Sequence, residues 1–233
     1  MRLAIRFALA ALALRAALAQ GQPSAAEILK KVAETYKAAS QYELVADATA
    51  GGARTAPTHM LLAVSLPNRY RMEGALPGLS GGDSEFTDAV IVCDGTAIWM
   101  YLRKSNQYVS IPLSGLHPDG PGDLGDLRPE VMDQSAMMRY RGAADFAERA
   151  KFLREEAIEI AGAKVECYVV AVPVRGQAAP YTWWVDKQRY RIRREDNSTS
   201  SSVFTTVKLN ESLADELFKF TPPAGARKMD MNH

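Results

Sequence analysis

The chain has 233 residues, 47% of them hydrophobic and 24% charged, and its 28 Lys and Arg nearly balance 27 Asp and Glu, for a net charge of +1. That length suits a single domain of the β-rich kind. A near-neutral balance with no basic run leaves no electrostatic footprint for nucleic acid, whose binding rests largely on neutralising phosphates, so nucleic acid is not an expected partner.

The first residues read as an export leader. Arg2 and Arg6 give a positive start, Phe7 to Leu14 is apolar, and Ala17-Leu18-Ala19 is a small-x-small cleavage site, so a cut is expected after Ala19. The apolar run is too short to span a bilayer, which takes about 20 apolar residues, and Arg15 interrupts it. Residues 1–19 are therefore set apart from a single domain over residues 20–233, expected to be soluble and exported.

From Ser24 to Ser40, apolar residues at Ile28, Leu29, Val32, Ala33 and Tyr36 have the three-and-four spacing of an amphipathic helix, and Ser24 with Glu27 forms a capping-box pattern. From Tyr42 the period changes. Segments 42–49, 58–66, 69–73, 87–93, 96–102 and 107–111 are short, rich in Val, Ile, Tyr, Thr and Trp, and separated by Gly, Pro, Asn or Asp, which predicts consecutive antiparallel strands. Residues 113–134 break this pattern with several Gly and Pro, a long insertion of the kind that often carries function. Val131, Met132, Met137 and Met138 follow as an apolar patch, and the segment 132–148 is a natural cover for a sheet.

Strands are predicted again at 151–160, 164–172, 181–186, 189–195 and 202–210, and the alternation Tyr190-Arg191-Ile192-Arg193 gives the fourth of these one apolar and one basic face. About eleven strands from one chain must curl, close or split, because open twisted sheets rarely exceed about ten. The expected class is therefore mainly β, an incomplete antiparallel barrel with an apolar cavity under helical lids.

Two cysteines remain, Cys93 and Cys167, each in an apolar strand-like run. An oxidising compartment would allow them to pair, and buried free thiols are the alternative; spacing alone does not decide between them. Gly78-Leu79-Ser80-Gly81-Gly82 matches the G-x-S-x-G pattern of a nucleophile elbow, but that elbow needs a buried strand before the Ser and a helix after it, and this is a Pro- and Gly-bearing stretch between hairpin strands. His59, His117 and His233 stand in a strand, in the long loop and at the last position, so no serine triad is expected.

No two Cys or His lie close enough for a zinc site. Asp119, Asp123, Asp126, Glu130 and Asp133 have no EF-hand spacing and read as solvated acids. Arg69, Arg71, Arg189, Arg191, Arg193 and Arg194 read as solvent-facing strand positions rather than an anion site. The more telling signal is Trp99, Tyr101, Trp183 and Trp184 on strands together with nine Met, soft side chains that adapt to irregular apolar ligands.

Three segments carry a resemblance to a known family. They are Leu66-Pro67-Asn68-Arg69-Tyr70-Arg71-Met72, then Cys93-Asp94-Gly95 leading into Ile98-Trp99-Met100-Tyr101, and finally Phe218, Phe220, Pro222, Pro223 and Gly225. In this order and spacing, behind a leading helix, they resemble the LolA-type periplasmic carriers of outer-membrane lipoproteins in the LolA/LolB-like superfamily. The resemblance implies a periplasmic, monomeric carrier with no catalysis and no cofactor. Its cargo would be an acylated lipoprotein or other lipid, taken from an inner-membrane ABC transporter and passed to an outer-membrane receptor.

The candidate acyl-contacting residues are Leu66, Tyr70, Met72, Trp99 and Tyr101 on the strands, Met132, Met137 and Met138 in the lid, and Ile28, Val32 and Tyr36 on the leading helix. Well-known carriers have an Arg before Pro-Asn that helps hold the lid shut, and this chain has Leu66 there. The alternative reading is a lipid-responsive regulatory protein of the same fold that acts through a membrane-bound partner.

Overall fold

The computed structural model describes residues 22–50, 58–74, 88–116, 127–174 and 179–229. The expected leader with its cut after Ala19, the Gly78–Gly82 pattern, His117, His233 and the acids Asp119, Asp123 and Asp126 lie outside the described residues.

Helix α1 (Ala25–Lys37) starts where the capping box predicts: the Glu27 N–H donates to Ser24 Oγ at 3.2 Å, and the Ser24 N–H donates to Glu27 Oε2 at 2.8 Å. Its apolar stripe, Ile28, Leu29, Val32, Ala33 and Tyr36, is buried to the last residue. Burying each large member of that stripe stabilises the fold by about 1.5–3 kcal/mol, so the helix is held by packing more than by its own propensity.

Six strands follow as a meander: β1 (Gln41–Ala50), β2 (Thr58–Ser65), β3 (Arg69–Gly74), β4 (Ala89–Asp94), β5 (Ala97–Leu102) and β6 (Gln107–Pro112). Helix α2 (Pro129–Arg141), with Pro at its start where no N–H is needed, leads through a 3-10 turn at Ala143–Phe146 to the second meander. That meander is β7 (Lys151–Ile160), β8 (Ala163–Val172), β9 (Tyr181–Asp186), β10 (Ile192–Asp196) and β11 (Ser200–Leu209). A two-residue strand, β12 (Arg227–Lys228), pairs in parallel with β6.

The result is one sheet of twelve strands in the order β12-β6-β5-β4-β3-β2-β1-β11-β10-β9-β8-β7. β1 pairs with β11 over most of its length, from Tyr42 opposite Leu209 to Ala50 opposite Ser200, and this seam joins the two meanders. The sheet is not closed, but it curls until β7 approaches β11 across three intervening strands. The architecture is an incomplete antiparallel barrel with α1 and α2 over one face, as expected.

Alternation assigns each side chain to the helix-covered face or the outer face. Tyr42, Leu44, Val64, Tyr70, Ile91, Cys93, Ile98, Met100, Val170, Trp183, Val185 and Ile192 point to the covered face and form one core with α1 and α2. On the outer face, the 3-10 turn Asp215–Phe218 lays Leu217 and Phe218 against Leu61 and Ala63, and Phe220 stacks 5.7 Å from Trp99, 6.0 Å from Tyr101 and 6.0 Å from Tyr108.

The Asp94-Gly95-Thr96 turn follows the expected hairpin chemistry, with Gly95 at φ +97°. Asp94 accepts from the N–H groups of Thr96 and Ala97, the Thr96 hydroxyl and the Trp99 indole. Partial burial works against its charge, but these donors outweigh it and hold its pKa at about 2.

Two expectations need correction. The strand expected at 189–195 begins only at Ile192, because Asp186 Oδ1 accepts from the N–H groups of Gln188 and Arg189 and Tyr190 adopts φ +52°, completing a turn first. Asp133, expected among solvated acids, is buried on α2 at 7% exposure.

The cysteine alternative resolves to two buried free thiols. Cys93 faces the covered side on β4 and donates to the Asn68 carbonyl at 3.0 Å, whereas Cys167 lies on the outer face of β8 with Val169 and Trp184. Six strands separate them. Burial pushes the Cys167 thiol up to about 12, which keeps it unreactive at neutral pH. Denatured without reductant and exposed to a thiol-reactive mass tag, the chain is expected to take two labels; none would reveal a bridge.

One glycine is demanded by close approach. Gly74 ends β3 at φ +103°, and a Cβ there would lie 2.4 Å from the His59 carbonyl oxygen. Gly74→Ala is expected to destabilise the protein by about 2 kcal/mol or more, read from the urea midpoint; an unchanged midpoint would contradict this backbone geometry.

Candidate functional site

A cavity of about 390 Å³ opens between α2 and the seam of the two meanders. Its apolar wall is built from Leu44 and Ala46 of β1, Met60 and Leu62 of β2, Met72 of β3 and Phe204 of β11. The register explains this grouping: Ala46 pairs with both Met60 and Phe204, and Leu62 pairs with both Leu44 and Met72, so the side chains form one patch across four adjacent strands.

The opposite end is polar. Arg139 of α2, Tyr181 of β9, Glu195 of β10, Asn197, and Ser200 and Ser202 of β11 line it. Arg139 Nη1 donates to Glu195 Oε1 at 3.0 Å, and the guanidinium lies over the Tyr181 ring, 4.7 Å from its centroid. Glu195 Oε2 is buried without a hydrogen-bond partner. Burial pushes the Glu195 carboxyl above its ordinary range; Arg139 and the neighbouring Trp183 and Tyr140 side chains counter this only in part.

Two bulges create this polar end. The β10–β9 register skips between Ile192 and Arg194, so that Ile192 and Glu195 both turn inward while Arg194 stacks on Trp184 outside, 4.5 Å from the ring. The β1–β11 register skips Thr205, so Phe204 and Ser202 share the covered face with Val207 and Leu209. Without these shifts Glu195, Ser200 and Ser202 would face outward.

The lid above the cavity is tied down by hydrogen bonds. Asp133 accepts from Arg141 at 2.6 Å and 2.9 Å through its two oxygens and from the Tyr42 hydroxyl at 3.0 Å. Arg141 also donates to the carbonyls of Tyr36 and Ala39 at the end of α1, at 3.4 Å and 2.9 Å. At the other end of α2, the Tyr70 hydroxyl donates to the Leu127 carbonyl at 2.6 Å. Tyr140 fills the space between, its ring 5.1 Å from Tyr36 and 5.7 Å from Trp183.

The candidate residues read from the sequence divide into four groups. Met72 lines the cavity. Leu66 and Met132 are half-buried against the core that supports it. Ile28, Val32, Tyr36, Tyr70 and Met137 are fully buried: they hold the helices to the sheet and lie below the cavity surface. The remaining three are corrections. Trp99 and Tyr101 face the outer side, because their β4 partners Val92 and Val90 alternate with the core-facing Ile91 and Cys93, and Phe220 covers them there. Met138 is 63% exposed, on the side of α2 away from its buried neighbour Met137.

The cavity residues the sequence reading missed are chiefly Met60, Arg139, Tyr181, Glu195, Ser202 and Phe204. Met60 to Val64 is apolar on both faces, so period-2 reasoning does not choose Met60 over Leu61, and the bulges that redirect β10 and β11 have no sequence signature. The arginines are dispersed: Arg69 pairs with Asp215, Arg191 with Glu211 and Arg194 with Asp196, none of them lining the cavity, and Arg71 pairs with Glu73, whose carboxylate reaches its edge. Among the described residues no group of three or more His, Cys, Asp or Glu is placed to hold a metal, and no helix is long and apolar enough to cross a membrane.

The buried Glu195 has a pH consequence of definite sign. A carboxyl whose folded pKa is raised contributes stability below its unfolded pKa and loses it as pH rises through the folded value. Glu195→Gln removes this titration, so the stability of the variant relative to the unmodified chain is expected to increase as pH rises from the ordinary Glu range toward neutrality. Urea unfolding across that range checks it; a constant difference would remove Glu195 as the titrating group.

No protein-family model matches this chain. An uncharacterized protein of Methanocaldococcus jannaschii is 26% identical over 211 residues, which is 89% of this chain and 54% of the relative. The chain therefore spans about half the length of that curated relative. Among solved structures, LprF of Mycobacterium bovis aligns with a TM-score of 0.48 at 13% identity, covering 88% of this chain and 100% of that one. A LolA superfamily protein of Nitrosomonas europaea aligns with a TM-score of 0.29 at 14% identity, covering 85% and 99%.

Proposed function

We propose that this chain is an exported, non-catalytic carrier that binds an acyl chain in the cavity under α2 and moves it between membrane surfaces, as the LolA-type resemblance implies. The observation that supports the reading is the apolar wall itself. Leu44, Ala46, Met60, Leu62, Met72 and Phe204 present a continuous hydrocarbon surface at the covered face of a sheet whose remaining covered positions are filled by α1 and α2. A patch of this kind left beside a lid, rather than packed against it, is how a protein accommodates an apolar ligand.

The volume, about 390 Å³, lies at the low end of the range of about 300–1,000 Å³ usual for small-molecule sites. It suits one chain, so a multiply acylated lipoprotein would require the lid to lift. Transfer from an inner-membrane transporter to an outer-membrane receptor is the role that follows if the leader directs the chain to a periplasm.

Mass spectrometry of material extracted from the protein after detergent-free purification tests the reading directly. Bound lipid or acylated lipoprotein at about one per chain supports a carrier; an empty protein that also takes up no fluorescent fatty-acid probe sinks it. Crosslinking to a transporter and lipoproteins, rather than to a signalling protein, separates the carrier from a lipid-responsive regulator.

Met72→Asp places a charge on the apolar wall, where an unpaired carboxylate is strongly disfavoured beside hydrocarbon. Probe affinity is expected to fall at least about tenfold, a change of about 1.4 kcal/mol, with the far-ultraviolet circular dichroism unchanged. Met60→Asp, on a half-exposed position of the same wall, serves if the first variant does not fold. Retained affinity in a folded variant would remove the cavity from the proposal.

A further inference from the structure

We propose that the cavity selects a single-chain amphiphile whose uncharged head group both donates and accepts one hydrogen bond, the donor meeting Glu195 Oε2 and the acceptor lying under the Arg139 guanidinium. This deepens the carrier reading and rests on it.

Four observations lead there. First, polarity is concentrated at one end: apart from Glu73 of β3, whose carboxylate is paired with Arg71 and Arg103, β1, β2 and β3 supply hydrocarbon, while Arg139 of α2, Tyr181 of β9, Glu195 of β10 and the serines of β11 supply the polar groups. An occupant with one apolar tail and one polar end matches that division, and an entirely apolar one would leave buried polar atoms unpaired.

Second, the charges that face the cavity cancel. Arg139 and Glu195 form an ion pair at 3.0 Å, and the other charged lining residue, Glu73, holds its carboxylate in bonds to Arg71 and Arg103. An anionic head placed on Arg139 would lie against the Glu195 carboxylate, and a cationic head on Glu195 would lie against the guanidinium. An uncharged head meets neither repulsion.

Third, the pair is incompletely satisfied. Glu195 Oε2 is buried with no partner at full hydrogen-bond distance, although Tyr140 and the Trp183 indole N–H, itself buried and unpaired, lie beside it, and such an under-satisfied acceptor is what a ligand donor would complete. Arg139 donates to Glu195 through one of its five N–H groups and also interacts with the Tyr181 side chain, which still leaves N–H groups free for a head-group acceptor. A donor and an acceptor are thus unused side by side. Fourth, Ser200 and Ser202 extend the polar end along β11, where a second hydroxyl of the head group finds partners.

A monoacylglycerol and a protonated fatty acid both have this chemistry, the first through a hydroxyl and an ester carbonyl, the second through its O–H and C=O. The test compares dodecyl-chain probes kept below micelle formation, each competed against a fluorescent fatty-acid analogue on the full chain. The probes are 1-monododecanoylglycerol, dodecanoic acid in mildly acid buffer, methyl dodecanoate, dodecyl phosphate and dodecyltrimethylammonium. The glyceride, the acid or both are expected to bind about tenfold tighter than methyl dodecanoate, which accepts but does not donate; this is the effect of about one hydrogen bond to a charged group. Whichever of the two binds tighter assigns the head as hydroxyl or carboxyl.

In Arg139→Leu/Glu195→Leu that preference is expected to fall to about one while methyl dodecanoate still binds. Glu195→Gln, an isosteric change for use if the double variant does not fold, leaves Arg139 uncompensated and is expected to favour dodecyl phosphate by about tenfold. Equal affinity for all heads, or tightest binding of the phosphate or the ammonium by the unmodified chain, overturns this inference and leaves the carrier reading intact. Failure of every probe to bind overturns both.

Discussion

The structure depends on how one guanidinium is held. Arg141 meets both oxygens of the buried Asp133 and also donates to the carbonyls of Tyr36 and Ala39. Arg141 joins the end of α1 to the end of α2 by donating to the Ala39 carbonyl and, as a second donor beside the Ala39 N–H, to the Tyr36 carbonyl. Tyr42 adds the first strand to the same carboxylate. Removing one member of such a buried pair strands the other, a loss of about 3–5 kcal/mol where it has been measured, whereas the intact pair adds little over a hydrophobic replacement. Its contribution is therefore arrangement: it makes α1, α2 and β1 one unit and leaves the cavity on only one flank of that unit.

This arrangement gives meaning to Leu66. In the carriers that the sequence resembles, an arginine at this position helps hold the lid. Here Leu66 is an apolar contact half-buried against the core, and the lid is held from within by Asp133 and Arg141 and at its start by the Tyr70 hydroxyl on Leu127. Tyr70, read from the sequence as a cavity wall, thus acts as a tether. A lid held through main-chain carbonyls and a buried ion pair can separate from the sheet only by breaking a network rather than a single contact.

Most of the architecture was legible before any coordinates. The α1 capping box, the strand positions of both meanders and the Asp94-Gly95 hairpin all follow from local chemistry that tertiary contacts do not override. The side of the sheet on which an aromatic lies was not legible where both faces are covered. Ile98 to Leu102 is apolar at every position because α1 and α2 bury one face and Phe220 covers the other, so alternation carries no phase information there. The polar end of the cavity was hidden for a related reason. A bulge shifts the phase by one residue, and whether it forms depends on the partner strand, so Glu195 reads as outward by simple counting and lies inward in the structure. Arg139 and Glu195 are far apart in the chain and become a site only when the two meanders join at β1 and β11.

An open sheet has two edges, and an unpaired edge invites another copy of the chain to add its own strand. At one edge, β6 is covered by β12, whose two residues, Arg227 and Lys228, are both basic and exposed. At the other, β7 carries Lys151, Arg154, Glu155, Glu156 and Glu159 and is bent by a register shift between Phe152 and Arg154. Charge, brevity and a bulge each frustrate edge-to-edge growth. An open barrel is thereby kept from propagating into a filament, even though its hydrogen-bonding ladder is never closed.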